Sequence, residues 1–227
     1  MSTLYLVSEA PDVRLTATLN EAERARTEAY RDARAAAQFV QGRSLLRWAL
    51  GGRLGMEPAA VRLETEPKGR LRVAHDDALS CSVAHTEGLV AVLVSPMRCG
   101  VDVERSDRRV KPERLARRVL SAAERQAWSG SAHDLLRLWT LKEAYLKGTG
   151  EGLSVPMTEV SFELGSAITG RRGGELVPWR FKSELTSTGH WVSAAVAARE
   201  AALTVRWCVG SGAGWFQEKP QKDGEIA

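Results

Sequence analysis

Residues 139–150 read WTLKEAYLKGTG, a stretch that sets two lysines and a carboxylate inside an otherwise apolar helical pattern. Trp139, Glu143 and Lys147 are spaced four apart. On a helix of about 3.6 residues per turn they form one ridge, leaving Leu138, Leu141 and Tyr145 to face a core. The pattern begins near Ala132, and Gly148, Gly150 and Gly152 end it in a loop. A Glu followed by a Lys at i+4 is also the commonest stabilising helix pair, contributing about 0.2–0.5 kcal/mol on a solvated face. A second acidic element upstream raises the other reading.

That element is GVDVE, Gly100 to Glu104. Its period is two, so on a strand Val101 and Val103 point one way, and Asp102 and Glu104 the other. Two carboxylates about 6–7 Å apart, from a rise of about 3.3 Å per residue, can converge on one hard cation. Magnesium suits such a pair, because it takes one or a few carboxylates and completes its octahedron with water and phosphate oxygens. A half-buried strand with a polar outer face shows the same alternation.

The chain has 227 residues, 44% of them hydrophobic, enough for the core of one large or two small domains. The N-terminus lacks a basic region leading into an apolar run, and no stretch approaches the roughly 20 apolar residues that span a bilayer. A cytoplasmic protein without membrane partners is expected. Cys81, Cys99 and Cys208 are far apart and form no CxxC pair, so buried thiols are expected rather than disulfides or a zinc site. The net charge is only +4, yet Arg105, Arg108, Arg109, Lys111, Arg114, Arg117 and Arg118 crowd one segment. This crowding predicts an anionic partner, against the plainer reading of a solvated arginine-rich helix.

In chain order, Thr3 to Val7 suits a strand and Leu19 to Leu54 reads as helix, ended by Gly51, Gly52 and Gly55. Arg43 and Arg47 project together from it, as a fork for one phosphate or as solvent-facing arginines. Val61–Leu63 and Leu71–Val73 flank the turn Pro67–Arg70, a hairpin with a basic tip. Leu79–Ala84 and Leu89–Val94 read as strands with His85, Thr86, Glu87 and Gly88 at their corner. His85 is there either a ligand contact or a structural hydrogen bonder. The turn Ser95–Gly100 divides the chain, giving an N-terminal half 1–97 and a C-terminal half 98–210. Residues 211–227 are expected as a disordered tail. In the second half Pro112–Leu120 reads as a short helix, and Ser121 with Glu124 as a capping box. Strands are expected at Val160–Leu164, Leu176–Lys182, Trp191–Ala197 and Leu203–Val209.

Together these residues resemble a phosphopantetheinyl transferase of the surfactin-synthetase-activating type. GVDVE is similar to the family's first signature and WTLKEAYLKGTGEGL, Trp139 to Leu153, to its second. SVAHTEG from Ser82 resembles its histidine turn, GRSLLR from Gly42 its arginine-bearing helix, and Gly69-Arg70 its basic tip. One departure is that Ala84 and Thr86 flank His85, where serines often stand; a hydroxyl contact from position 84 is lost and one from Thr86 is kept open.

The resemblance implies an α+β fold of two pseudo-symmetric α+β halves with the active site in the cleft between them. It implies transfer of phosphopantetheine from coenzyme A to a serine of an apo acyl or peptidyl carrier protein, with Mg2+ and release of 3′,5′-ADP. On this reading Asp102, Glu104 and Glu143 hold the metal, and Lys142 and Lys147 hold phosphate oxygens, with Lys147 also serving the leaving group. Arg43, Arg47, Arg70, His85 and Thr86 contact the nucleotide portion. The proton acceptor is left among Glu143, Glu124 and a water on the metal. The arginine cluster becomes a dock for an acidic carrier helix, and a monomer is expected.

Two other functions fit parts of the pattern. A magnesium-dependent nuclease would use paired carboxylates, but Arg105 and Ser106 follow Glu104 where such a site expects a lysine. A basic nucleic-acid-binding module would use the arginines, but no helix-turn-helix, zinc or RNA-binding signature accompanies them.

Overall fold

A computed structural model describes residues 1–8, 17–198, 200, 202–210 and 216–218. The helices are α1 (Glu21–Glu28), α2 (Ala33–Leu54), α3 (Pro112–Val119), α4 (Ala122–Ala127) and α5 (Ala132–Thr149). The first-half strands are β1 (Ser2–Val7), β2 (Leu63–Thr65), β3 (Leu71–Val73), β4 (Ser80–Thr86) and β5 (Leu89–Ser95). Those of the second half are β6 (Cys99–Arg105), β7 (Val160–Leu164), β8 (Ile168–Arg172), β9 (Glu175–Leu176), β10 (Arg180–Leu185), β11 (His190–Val196), β12 (Leu203–Gly210) and β13 (Phe216–Glu218). The fold is α+β.

Each half lays one long helix on a set of antiparallel strands. In the first, α2 packs on β4 and β5; in the second, α5 packs on β6 and β11. Both helices start on a side-chain cap, Asp32 and Ser131, and end on a left-handed glycine, Gly55 and Gly150. The sheets run β13-β12-β1-β5-β4-β3-β2, β10-β11-β6 and β7-β8-β9. At the junction of the first two, β6 lies beside β4. The hydroxyls of Ser80 and Ser82 accept hydrogen bonds from the backbone N–H groups of Cys99 (3.2 Å) and Val101 (3.1 Å). Val101 and Val103 enter a core with Leu4, Leu6, Ala91 and Leu93, so Asp102 and Glu104 face the other way.

The structure departs from the sequence expectations at several points. The helix expected over Leu19–Leu54 breaks at Ala29–Asp32. Asn20 with Glu23 forms a capping box for α1, and Asp32 starts α2 afresh by accepting from Arg34 N at 2.8 Å. β2 begins two residues later than expected, and β8 was not anticipated. The boundary at residue 97 is not the boundary of the sheets. β12, expected with the C-terminal half, pairs parallel to β1, and its Leu203, Val205 and Trp207 pack on the core of Leu4 and Leu6. Nor is 211–227 simply a tail: Phe216–Glu218 forms β13 on β12, and Phe216 is buried 6.1 Å from the Trp48 ring. The rest of that segment lies outside the described residues. Among the described residues no helix is long and apolar enough to cross a membrane, and Cys81, Cys99 and Cys208 are free, buried thiols.

Candidate active site

Gly100 decides how closely α5 approaches β6. A Cβ at this position would overlap the Ala144 carbonyl oxygen and the Gly148 nitrogen, so only glycine lets the helix lie on the strand. The close approach sets the ridge of α5 over the polar face of β6. Along residues 135–148 of α5 nearly every side chain is buried; Trp139, Glu143 and Lys147 stay half-open, with Arg137 beside them. The ridge expected from the spacing of four is therefore the open stripe of an otherwise enclosed helix.

Lys147 crosses from α5 to β6, its Nζ 2.6 Å from Asp102 Oδ1 and 3.3 Å from the Val101 carbonyl. Asp102 is only 9% exposed. Burial raises its carboxyl above the usual range, and the Lys147 charge opposes this only in part. Glu104 is raised by burial and by Asp102 against the pull of Arg108, with which it forms an ion pair. Burial and the Asp102 charge also raise Glu143, to which Trp139 donates a hydrogen bond. These carboxylates feel one another, but they do not form a closed ligand set. Among the described residues no three His, Cys, Asp or Glu side chains are gathered as a metal site. Lys147 and Arg108 occupy the two strand carboxylates that were expected to converge with Glu143.

Beside this cluster lies a cavity of about 380 Å³ that draws on both halves of the chain. Its cationic lining comprises Arg26, Arg43, Lys68, Arg70 and Lys147, and His85 lines it as well. Arg43 is buried, with Nε 3.6 Å from Glu23 Oε1 and Nη1 without a partner among the described residues. An unpaired buried guanidinium nitrogen is costly and suits an incoming anion. Arg70 donates Nη2 to Ser80 Oγ at 3.0 Å, which ties the basic hairpin tip to β4. Burial and the Lys147 charge hold the His85 imidazole below its ordinary value, against the opposing pull of Asp102.

Four expected site residues do not line the cavity. Lys142 is wholly buried on the opposite side of α5, its Nζ bonded to Glu124 Oε2 (2.5 Å), the Val119 carbonyl (2.6 Å) and the Met157 carbonyl (3.2 Å). All three ammonium protons are thus used within the protein, and Lys142 does not reach the cavity. Glu124 closes the Ser121 capping box, accepts from Phe162 N at 2.9 Å and pairs with Lys142, so its carboxylate is engaged within the protein and away from the cavity. Arg47 is 1% exposed, bonded to Glu23 Oε2 at 2.8 Å and to the Val61 carbonyl, so it is a strut between α1, α2 and the following loop. Thr86 directs its hydroxyl to Glu104 and is absent from the cavity wall, because alternation along β4 puts it on the face opposite His85.

Sequence reading missed the cavity's far wall. Two guanidinium groups lie over the Phe39 ring, those of Arg26 (5.1 Å) and Arg43 (5.2 Å), with Tyr30 against it at 5.7 Å. Arg26 and Tyr30 reach this place because the chain breaks after α1, and a continuous helix gave no such signal. Arg108 belongs to the arginine cluster expected to meet an anionic partner, yet its guanidinium lies 4.8 Å over the Trp139 ring.

The model of the 4′-phosphopantetheinyl transferase superfamily matches residues 98–205, which carry Asp102, Glu104, Glu143 and Lys147. The matched stretch, a little under half of the chain, is similar to that superfamily. The chain is 32% identical over 149 residues to the 4′-phosphopantetheinyl transferase HetI of Nostoc sp., covering 62% of this chain and 63% of that protein. It is 26% identical over 226 residues to a phosphopantetheinyl transferase of Thraustochytrium sp., covering 88% of this chain and 78% of that one. A 4′-phosphopantetheinyl transferase of Bacillus subtilis is 22% identical over 165 residues, 70% of this chain and 72% of its own. The chain thus spans somewhat under two thirds of the Nostoc relative's length and more of the other two.

Proposed function

We propose that this chain transfers the phosphopantetheine group of coenzyme A to a serine of an apo carrier protein and releases 3′,5′-ADP. One observation carries the reading: a cation-lined cavity, contributed by both halves, opens at Lys147 beside three acidic side chains. The cavity wall suits a ligand with several phosphates and an aromatic base. Arg43, Arg70 and His85 would meet phosphate oxygens, and Phe39 with Tyr30 offers an apolar ring surface.

Asp102 raises the carboxyls of both Glu104 and Glu143, and three such carboxylates are a poor neighbour for a diphosphate unless a cation stands between them. Their all-oxygen donor set fits a hard divalent ion such as Mg2+. Asp102, Glu104 and Glu143 would hold it once Lys147 and Arg108 give way. Such an ion, when bound, neutralises phosphate charge and polarises phosphorus. Lys147 is then free to hold a phosphate oxygen and to stabilise the departing group. With Glu124 engaged beneath α5, Glu143, half-open on the cleft side, is the residue of this chain placed to take the serine proton.

The carrier would approach over α3. Arg105 is paired with Asp107 and Glu87, and Arg108 with Glu104, which leaves Arg109, Lys111, Arg114, Arg117 and Arg118 exposed without an acidic partner among the described residues. An acidic helix complements that face. Mass spectrometry of a small panel of apo carriers incubated with coenzyme A and Mg2+ tests the function. The reading requires a phosphopantetheine mass increment on at least one carrier serine, lost in Glu143→Gln. Cleavage of DNA under the same conditions, with all carriers unmodified, would favour a nuclease instead.

A further inference from the structure

Each strand carboxylate already carries a cation of the protein, and the two cations differ in kind. Lys147 reaches Asp102 from α5 and also lines the cavity, so it has work on the ligand side. Arg108 reaches Glu104 from the turn between β6 and α3 and does not line the cavity. Its side chain is 44% exposed, whereas that of Glu104 is 14% exposed. Its guanidinium also rests 4.8 Å over Trp139, whose indole donates to Glu143. A single arginine thus binds one carboxylate of the cluster and stacks on the residue that orients another. Arg109, the next residue, is exposed and has no acidic partner among the described residues.

We propose that Arg108 is a built-in counter-ion that competes with the divalent cation for Glu104, so that loading the site requires the guanidinium to leave that carboxylate. The inference rests on the reading of Asp102, Glu104 and Glu143 as cation ligands. A guanidinium and a divalent ion cannot share one carboxylate oxygen without strong like-charge repulsion. The exchange is easy because Arg108 is half in solvent, where an ion pair contributes little and water replaces the lost partner. While it stays, Arg108 keeps two acidic side chains compensated and holds Trp139 in place. Arg108 is therefore a positioning residue that sets the threshold of cation loading.

Binding of Mn2+, followed by the electron paramagnetic resonance signal of the free ion, tests this on the full chain at fixed ionic strength without carrier or coenzyme A. The proteins compared are wild type, Arg108→Gln, Arg108→Lys, Arg109→Gln and Asp102→Asn. Arg108→Gln should tighten binding roughly three- to tenfold, an order-of-magnitude range for releasing one half-exposed ion pair and its repulsion. Arg108→Lys should fall between, and Arg109→Gln, which removes the same charge one residue away, should stay near wild type. Equal tightening in both glutamine variants would reduce the effect to net charge and overturn the competition. Unchanged or weaker binding in Arg108→Gln would also overturn it, since the arginine would then only hold Glu104 in place. If Asp102→Asn binds Mn2+ as wild type does, the cation-site reading itself fails, and the inference with it. Loss of binding in Asp102→Asn with no response to Arg108 leaves that reading standing and removes only the inference.

Discussion

Lys142 Nζ lies 2.5 Å from Glu124 Oε2, and the pair is sealed beneath α5, on the side away from the cleft. The next residue along the helix, Glu143, stands half-open on the cleft side. Adjacent positions on a helix diverge by about 100°, and that turn separates a structural charge from a chemical one. Burial lowers the Lys142 pKa and Glu124 restores part of it, so the ammonium depends on its partner. Removing one member of a buried pair strands the other. Lys142→Met should therefore cost about 3–5 kcal/mol in urea unfolding. Lys147→Met should cost less than Lys142→Met, because Lys147 is 35% exposed and water can take its place beside Asp102, and it should abolish transfer. A stable, inactive Lys142→Met would return that lysine to the active site.

The acidic cluster gives a pH signature. Asp102, Glu104 and Glu143 have carboxyls raised above their ordinary values, burial being the largest cause. A group whose folded pKa exceeds its unfolded value contributes stability that is fully present below the unfolded pKa, about 4, and is lost as pH rises through the folded pKa. At neutral pH these groups therefore work against folding. Asp102→Asn and Glu143→Gln should keep or raise the urea midpoint at pH 7 and lose that advantage as pH falls toward about 4. Both should abolish transfer. A marked drop in stability at pH 7 would contradict the sign.

Gly100→Ala tests the contact that builds the site. The added methyl meets backbone atoms of α5, which cannot rotate away as a side chain can. Overpacking of this kind costs about 1–3 kcal/mol or more. Because the displaced helix carries Glu143 and Lys147, activity should fall further than stability. Thermal melts and transfer rates on the same preparation check this, and an active variant with a native melting temperature would show that α5 need not sit so close.

Docking over α3 should respond to salt. Exposed charges are screened with a Debye length of about 10 Å at 0.1 M salt, so raising ionic strength should raise the apparent KM for the carrier more than that for coenzyme A. Arg114→Glu with Arg117→Glu should do the same at low salt and leave kcat largely intact. A flat salt response excludes this face as the dock.

The thiols should be silent. Burial pushes Cys81, Cys99 and Cys208 up to about 12, so none is a thiolate at neutral pH. Ellman's reagent should label none rapidly in the native protein and all three in denaturant. Fast labelling of a native cysteine would mean that the fold opens locally.

Local periodicity determined much of this protein. Alternation in GVDVE put Val101 and Val103 in the core and Asp102 and Glu104 opposite, because a strand turns successive side chains to opposite faces. The spacing of Trp139, Glu143 and Lys147 gave the half-open ridge of α5, and the Ser121 and Glu124 spacing gave a capping box. These features depend on neighbours within a few residues, so the sequence carries them. Burial and partner choice depend on what packs from far along the chain, and there the tertiary structure decided. It took Lys142, Glu124 and Arg47 out of the cleft, turned Thr86 to Glu104, and placed Arg26, Tyr30 and Phe39 in the cavity wall. It also carried β12 back to pair with β1. Charged residues look alike in a sequence whether they meet solvent, a ligand or each other, because the cost of burying a charge is set by the groups that surround it.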